Sequence, residues 1–458
     1  MVSVQAEIGL LFLVQVQIHW VMDDLNRLAS MKNSGIFRTF ASCILGLFAF
    51  GNVFANDIVF RSLVAPSENT RFREINRLQL NVERLSKSLD SVVQAIERHG
   101  EEVSDHRPPE ASTVALCELI GKLKSEDAQA ALVRLMKHSD LNVSMLAIGQ
   151  LGHHRYLDSI DELKELPRRE AYLDSYAFRF SVIRSLIEMN HPDATEALLL
   201  LRRGLDGQLQ YHVDRYFDEQ TIEDFNGDQV RFEAFSKRLD EGFSSQMTQV
   251  ADEPQARLAS VSGLFKLSDS EPASLNRLKF APQEYYGIEI HSKRLLFILD
   301  HSSSMKDPWY GMPRLDRAKG ELIKAIRALP GDVEFGIVAF HTRVHQWNDG
   351  LVEATIENKD LAIEFVRGLG YGDRTNTYGA LRTALDYDAD LEAVYLLTDG
   401  KPTIGELVSH QSILMDILHR NRFRHLNLNT IGVAVDGFTQ GFLKRLADES
   451  GGQFRLAN

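Results

Sequence analysis

Five oxygen-bearing side chains, in three separate segments, have the types and spacing of a site for a hard metal ion. Three of them form the pattern D-x-S-x-S, one lies in a glycine-rich segment (368–377), and one follows a threonine in a T-D-G sequence. The candidate ligands are Asp300, Ser302, Ser304, Thr375 and Asp399. Two carboxylates and three hydroxyls offer only oxygen, and the set contains no sulfur.

This donor set favours Mg²⁺, which prefers near-octahedral oxygen coordination and keeps several waters. Ca²⁺ and Mn²⁺ are the alternatives, although Ca²⁺ usually has more carboxylate ligands. The only imidazole close in sequence is His301, which occupies an x position of the D-x-S-x-S pattern. A second interpretation remains open, because Asp300 and Ser302 would also be suitable residues to cap the turn that follows them.

The elements that must position these residues are strands of a parallel sheet. Continuous apolar runs predict strands buried on both faces, and amphipathic segments between them predict helices. The predicted strands are 294–300, 333–340, 393–398 and 428–435, and the predicted helices are 315–329, 361–369, 378–387, 411–420 and 438–449. Strands alternating with helices predict an α/β doubly wound parallel sheet, whose ligands bind beyond the carboxyl ends of the strands.

In combination and in order, these motifs resemble the metal-ion-dependent adhesion site (MIDAS) of von Willebrand factor A (VWA) domains, over about 165 residues. The resemblance implies that hydroxyls of Ser302, Ser304 and Thr375 hold the ion, and that Asp300 and Asp399 bind it directly or through water. Thr375 is preferred to Thr377 because the family's threonine directly precedes Asn or Asp. It also implies a Rossmann-like domain at 291–458 and a protein partner that donates an Asp or Glu carboxylate to the metal.

Two functions other than adhesion are possible for a chain with these motifs. A metal-dependent hydrolase would need a general base near the ion, and the sequence offers no clear candidate. It also contains no GxSxG, HExxH or GxxxxGK motif. We therefore expect that the protein is not an enzyme. The remaining alternative is a scaffold in which the preceding helical region binds the partner and the VWA domain is an accessory.

Residues 112–260 are predicted to form an all-α solenoid of helix pairs. A shift of 35 residues places Ile148 and Leu151 on Ile183 and Leu186, and such spacing is typical of stacked helical repeats. The segment 140–152 resembles the second helix of HEAT-like repeats. Residues 261–290 are expected to link the solenoid to the VWA domain. The combination, with Tyr-Gly-Ile at 286–288 and Ser-Lys-Arg at 292–294, is similar to envelope proteins of planctomycete-type bacteria.

Residues 66–100 contain apolar positions with the 3–4 spacing of a coiled coil. The seam comprises Ile75, Leu78, Val82, Leu85, Leu89, Val92 and Ile96. It predicts either a parallel coiled coil, which would make a homo-oligomer through residues 75–96, or one long amphipathic helix packed on the next domain.

The N-terminal 55 residues are predicted to be absent from the mature protein. A basic stretch from Met31, an apolar run at 40–50 and small residues before Asn56 are typical of a secretory signal peptide (31–55). Residues 1–30 would then be a gene-model extension, with Met31 as the start. We expect export to the periplasm or the extracytoplasmic cell envelope, and no membrane span in the mature chain.

Composition limits the class of partner. The chain has 458 residues, 44% of them hydrophobic and 25% charged, as expected of a globular protein with several domains. The formal net charge of −13 argues against a nucleic-acid partner, because phosphate binding needs a basic surface.

Overall fold

The computed structural model describes residues 57–101, 108–220 and 284–457. The predicted gene-model extension and signal peptide (1–55) lie outside the described residues, as do most of the predicted linker and the end of the predicted repeat region. Within the described residues, no helix is both long and apolar enough to cross a membrane.

The N-terminal half of the described chain is a helical domain with one continuous hydrophobic core. Its helices are α1 (Glu68–Gln79), α2 (Val82–Lys87), α3 (Leu89–Glu101), α4 (Ala111–Lys122), α5 (Glu126–Met136), α6 (Leu141–His153), α7 (Ile160–Glu165), α8 (Glu170–Asp174), α9 (Tyr176–Met189), α10 (Pro192–Arg202) and α11 (Gly207–Gln220). Residues 57–63 are also helical, and 3₁₀ turns lie at Leu157–Ser159 and Leu166–Arg168.

The predicted coiled coil or long helix over 66–100 is wrong, because this segment forms three helices. The first ends at Gln79, and Asn81 caps the second, since its side chain accepts a hydrogen bond of 2.9 Å from the N–H of Arg84. Seam residues such as Ile75 and Val92 are buried in the core of the helical domain, whereas Val82 is exposed. The surface predicted to join two chains through residues 75–96 is therefore largely used within one chain.

The predicted repeat corresponds to two neighbouring helices, α6 and α9, that pack along each other. The apolar residues superposed by the 35-residue shift are all buried in the common core. A Cβ at Gly152 would collide with Ser185, and the Ser185 hydroxyl donates a hydrogen bond of 3.0 Å to the carbonyl of Ile148. Close approach of successive helices is how a helical repeat buries its apolar stripe, and the structure confirms helical repeats here.

The C-terminal domain is built on a seven-stranded mixed sheet. The strands of the domain are β1 (Glu284–Tyr285), β2 (Ile288–Glu289), β3 (Arg294–Asp300), β4 (Pro308–Trp309), β5 (Met312–Pro313), β6 (Glu334–Phe340), β7 (Val344–Gln346), β8 (Val352–Glu353), β9 (Ala393–Thr398), β10 (Asn427–Gly432) and β11 (Phe454–Leu456). The strand order in the sheet is β11-β10-β9-β3-β6-β7, where β8 also pairs with β6. Five strands are parallel, and β7 and β8 run antiparallel at one edge.

Helices cover both faces of this sheet, as expected for a doubly wound fold. They are α12 (Arg314–Ala328), α13 (Ile356–Gly368), α14 (Thr377–Leu385), α15 (His410–Asn421) and α16 (Gly437–Ser450). Residues Leu295 and Phe297 of β3 pack in the core with α12 and α13, whereas Leu296 and Ile298 pack in the core with α14, α15 and α16. The predicted fold class, a helical solenoid followed by an α/β domain, is confirmed.

The α/β domain begins earlier than the predicted boundary. The antiparallel hairpin of β1 and β2 lies within the segment expected to be a linker (261–290). Tyr285 is buried and its ring lies edge-on to that of Phe297, with 5.3 Å between ring centroids. The hairpin therefore extends the core that also contains α12 and α13.

The helical domain packs against the end of the sheet at which the parallel strands begin. Arg179 of α9 forms an ion pair of 2.7 Å with Asp390, which precedes β9. The ring of Tyr211 in α11 stacks on that of His291, which precedes β3, with 3.9 Å between centroids. The candidate ligands lie at the opposite end of the sheet, where the parallel strands end.

Candidate metal centre

The D-x-S-x-S segment follows β3 directly and is held by its own hydrogen bonds. Asp300 is the last residue of β3 and is completely buried. Its Oδ1 accepts a hydrogen bond of 2.9 Å from the N–H of Ser302, and its Oδ2 accepts one of 2.5 Å from the hydroxyl of Thr398. The buried carboxylate therefore joins the end of β3 to the end of β9.

The hydroxyls of the same segment connect it to the T-D-G segment. The Oγ atoms of Ser302 and Ser304 lie 3.1 Å apart, and Ser304 Oγ donates a hydrogen bond of 2.7 Å to Oδ1 of Asp399. The Asp399 carboxylate is buried, although Asp399 borders an open cavity. Four of the five predicted ligands thus form one connected cluster.

The glycine-rich loop brings Thr375 to the same cavity. Its backbone N–H donates a hydrogen bond of 2.9 Å to the hydroxyl of Thr403, and its carbonyl accepts one of 2.9 Å from the Thr403 N–H. Thr375, Ser304 and Asp399 line the cavity together, and Thr377 is not among its lining residues. Asn376 instead caps α14 by accepting a hydrogen bond from the N–H of Gly379. The structure therefore brings all five predicted residues together.

The electrostatics of the cluster favour an added cation. Burial, and then the neighbouring Asp399 carboxylate, raise the pKa of Asp300 to about 7. The cation in contact with the pair is Arg314, whose Nη1 lies 2.7 Å from Oδ2 of Asp399. One guanidinium leaves the two carboxylates with a net negative charge, which a divalent ion would compensate.

The donor chemistry also fits a hard ion. Among the described residues, no three His, Cys, Asp or Glu side chains are arranged to hold a metal. An ion here would therefore depend on the hydroxyls of Ser302, Ser304 and Thr375 to complete its shell. Neutral hydroxyls and carboxylates are ligands that suit Mg²⁺.

Sequence reasoning missed Arg314 and the role of Thr398. Arg314 is the first residue of α12, and its chain position bears no spacing to the other motifs. Only the folded chain places its guanidinium on Asp399. Thr398 was visible as the first residue of T-D-G, but its hydrogen bond to Asp300 follows from the pairing of β3 with β9.

Comparison with known proteins finds similarity for this part of the chain. Residues 295–401 match the model of the von Willebrand factor type A domain. Von Willebrand factor A domain-containing protein 3B of Homo sapiens is 30% identical over 183 residues, which cover 40% of this chain and 13% of that protein. Inter-alpha-trypsin inhibitor heavy chain H4 of Homo sapiens is 28% identical over 187 residues, covering 38% and 19%. The chain thus spans less than a fifth of either relative.

Two solved structures are also similar. The von Willebrand factor type A protein from Catenulispora acidiphila is 20% identical, with a TM-score of 0.32, and the match covers 37% of this chain and 40% of that one. Proximal thread matrix protein 1 from the mussel byssus, solved with a zinc-occupied MIDAS motif, is 18% identical, with a TM-score of 0.28 and coverages of 36% and 43%.

Proposed function

We propose that this chain, which contains a von Willebrand factor A domain, binds a partner protein through a divalent metal ion at the carboxyl edge of the sheet. Domains of this family generally mediate protein–protein interactions. The observation that carries the proposal is the contact between segments: Ser304 Oγ lies 3.1 Å from Ser302 Oγ and 2.7 Å from a carboxylate oxygen of Asp399.

In this proposal the resident ion is Mg²⁺, with Ca²⁺ or Mn²⁺ as alternatives. Ser302, Ser304 and Thr375 would hold it by hydroxyls, and Asp300 and Asp399 would bind it directly or through water. The bound ion would supply a positive centre that attracts an Asp or Glu carboxylate of the partner. The protein residues fix the ligand oxygens, and a bound ion would favour the ionised form of Asp300, whose pKa burial raises to about 7.

The rim of the cavity carries both charges, so the proposed ion itself would attract the acidic group of a partner. Arg374 and Lys401 are exposed at the rim, and so are Asp373 and Asp436. Lys401 pairs with Asp436 at 2.8 Å. The exposed ring of Phe438 lies near Lys401, whose Nζ is 6.0 Å from the ring centroid. An exposed aromatic ring beside a charged centre is typical of the anchor residues of protein interfaces.

The proposal further places the protein outside the cytoplasm, in the periplasm or the cell envelope, and gives it a binding rather than a catalytic role. Export is supported by the basic and apolar stretches of residues 31–55, which lie outside the described residues. The binding role is supported by the absence of any group assigned as a general base in the sequence motifs.

The direct test compares two serine variants of the full chain. We expect Ser302→Ala with Ser304→Ala to weaken Mg²⁺ binding by about 100-fold or more in calorimetry, because two direct ligands are lost. Ser303→Ala is the matched control, since the Ser303 hydroxyl donates to the backbone carbonyl of Asp373 in the same loop. Equal Mg²⁺ affinity in the double variant and the control would refute the metal site.

The same proteins then test adhesion. Capture of envelope proteins from an extract should require Mg²⁺, should fail in EDTA and should fail with the double serine variant. Capture that persists in EDTA would instead assign partner binding to the helical domain, as a scaffold. Metal-dependent hydrolysis of ester, phosphate or peptide substrates by the wild type, lost in the variant, would favour an enzyme.

A further inference from the structure

Three histidine rings form a cluster beside the oxygen-rich site. His301 lies within the D-x-S-x-S segment, His341 directly follows β6, and His345 lies in β7. The ring centroids are 4.7 Å apart for His301 and His341, 5.4 Å for His341 and His345, and 6.3 Å for His301 and His345. The function proposed above uses none of these imidazoles.

Backbone contacts hold the cluster in place. The N–H of His301 donates a hydrogen bond of 3.0 Å to the carbonyl of Phe340, which joins the loop after β3 to the end of β6. The tight turn from β6 to β7 is closed by the N–H of His341, which donates to the carbonyl of Arg343. The glycine-rich loop packs on the His341 ring, since a Cβ at Gly372 would collide with it.

Two of the imidazoles already have the spacing of ligands to one ion. The Nε2 atoms of His341 and His345 lie 3.4 Å apart. Nitrogens bound to one tetrahedral zinc ion at its usual bond length are about 3.3 Å apart. A hydrogen bond from one neutral ring to the other would have a similar length. A hydrogen-bonded pair without a metal is therefore the alternative interpretation.

His301 offers a ring nitrogen with a free lone pair beside this histidine pair. Its Nδ1 lies 2.6 Å from the carbonyl oxygen of Gly370, so Nδ1 carries the proton and Nε2 keeps its lone pair. The His301 residue is only 6% exposed, and its Nε2 has no hydrogen-bond partner among the described residues. A histidine whose second nitrogen donates to a backbone carbonyl is typical of metal ligands.

We propose that His341 and His345 bind a transition-metal ion through Nε2, that this ion is distinct from the one bound by oxygen ligands, and that His301 becomes a third ligand when the side chains turn toward the ion. Among the described residues the three rings are not arranged to hold one ion together, so the site rests on the 3.4 Å spacing of the His341 and His345 nitrogens. Imidazole donors select Zn²⁺, Ni²⁺ or Cu²⁺, whereas the hydroxyl and carboxylate site selects Mg²⁺. This inference does not depend on the adhesive function.

Cobalt titration of tag-free full-length protein separates the two sites. The Ser302→Ala, Ser304→Ala double variant serves as the background, so that metal binding at the oxygen ligands does not contribute. We expect Co²⁺ to give the strong visible absorption of a tetrahedral nitrogen site and Zn²⁺ to displace it. His341→Gln with His345→Gln should weaken Zn²⁺ binding by about 100-fold, and His301→Gln by about 10-fold.

The matched control changes another histidine pair of the chain. His153 and His154 are adjacent in the helical domain with ring centroids 4.9 Å apart, and His153→Gln with His154→Gln should leave the cobalt spectrum unchanged. Loss of the spectrum in this control but not in His341→Gln with His345→Gln would overturn the proposal.

A spectroscopic measurement on the same background protein keeps the test independent of whether the histidine variants fold. The electron paramagnetic resonance spectrum of bound Cu²⁺ should show splitting from two or three nitrogens. A spectrum without nitrogen splitting, or the absence of any tightly bound Zn²⁺ or Cu²⁺, would refute the site.

Discussion

At the scale of single residues, the candidate metal centre is a balance of buried charges. Asp300 and Asp399 are buried close together, and the Arg314 guanidinium contacts only one of them, at 2.7 Å from Asp399. The guanidinium pairs with Asp399 and would repel an arriving cation. If the proposed ion binds here, Arg314 should therefore weaken its binding.

Replacing Arg314 should change the Mg²⁺ affinity in the opposite direction from the loss of a ligand. We expect Arg314→Gln to raise Mg²⁺ affinity by about 10-fold, because one positive charge is removed from the neighbourhood of the ion. The measurement is calorimetry at low ionic strength. Arg317→Gln is the control, since the Arg317 guanidinium lies over the Trp309 ring, 4.8 Å from its centroid. Unchanged or weaker Mg²⁺ binding in Arg314→Gln would mean that the arginine mainly positions Asp399.

The candidate ligands of this centre can be predicted from the sequence more fully than the residues that contact them. Asp300, Ser302 and Ser304 lie in one short motif, and the parallel sheet brings Asp399 to them, so motif order and strand prediction suffice. The contact of Arg314 with Asp399 and the clustering of His341 with His301 join distant segments. Such contacts depend on how helices and turns pack, which leaves no periodic signal in the sequence.

At the scale of elements, the prediction over residues 66–100 failed because apolar spacing alone does not show how the chain turns and packs. Apolar positions spaced by three and four predict one helix face, but they do not reveal where a helix ends. Asn81 is a strong N-cap residue within the seam, and it begins a new helix that turns the chain. The repeat was predicted more successfully, because α6 and α9 are helices of 13 and 14 residues with continuous apolar stripes.

The start of α11 depends on a side chain from the other domain. Glu392 precedes β9 and is fully buried, and its Oε2 accepts hydrogen bonds of 2.8 Å from the N–H of Gln208 and 3.1 Å from that of Lys293. Its Oε1 lies 2.7 Å from a guanidinium nitrogen of Arg294. Gly207 has φ +55°, and a Cβ there would collide with this carboxylate. Glu392 thus caps a helix across the domain interface.

Removing this cap should be costly. We expect Glu392→Ala to lower the free energy of unfolding by about 3 kcal/mol, because it leaves two N–H groups without their acceptor and leaves Arg294 with Asp206 as its remaining carboxylate partner. Glu392→Gln keeps an acceptor oxygen and should cost less. Urea unfolding followed by circular dichroism measures both, with the exposed Glu406→Ala as control. If Glu392→Ala unfolds at the same urea concentration as Glu406→Ala, the cap contributes nothing to stability.

At the scale of the whole molecule, the two ends of the sheet have separate tasks. The segments before β3, β9 and β10 contact the helical domain, through His291, Asp390 and His425. The segments after β3 and β9 and the glycine-rich loop between α13 and α14 carry the candidate ligands. The helical domain therefore supports the α/β domain from the opposite end and leaves the end with the candidate metal centre accessible.

This interface should weaken in acid because it buries a neutral histidine. The His425 ring stacks on Phe180, with 4.6 Å between centroids, and its Nε2 lies 3.2 Å from the Ser181 hydroxyl. Burial, together with the nearby cations Arg184, Arg422 and Arg424, lowers the pKa of His425 to about 3. Since the pKa of histidine in the unfolded chain is about 6.5, stability is full above that pH and is lost as pH falls toward the folded-state pKa.

We therefore expect the wild type to lose about 1–2 kcal/mol more stability than His425→Gln between pH 7 and pH 5, since glutamine cannot take up the proton. Urea unfolding of both proteins at the two pH values measures this difference. Because the two proteins share all their other histidines, the comparison cancels the contributions of those residues. If His425→Gln and the wild type lose equal stability in acid, the interface accepts the protonated ring, and His425 does not limit how firmly the helical domain supports the α/β domain.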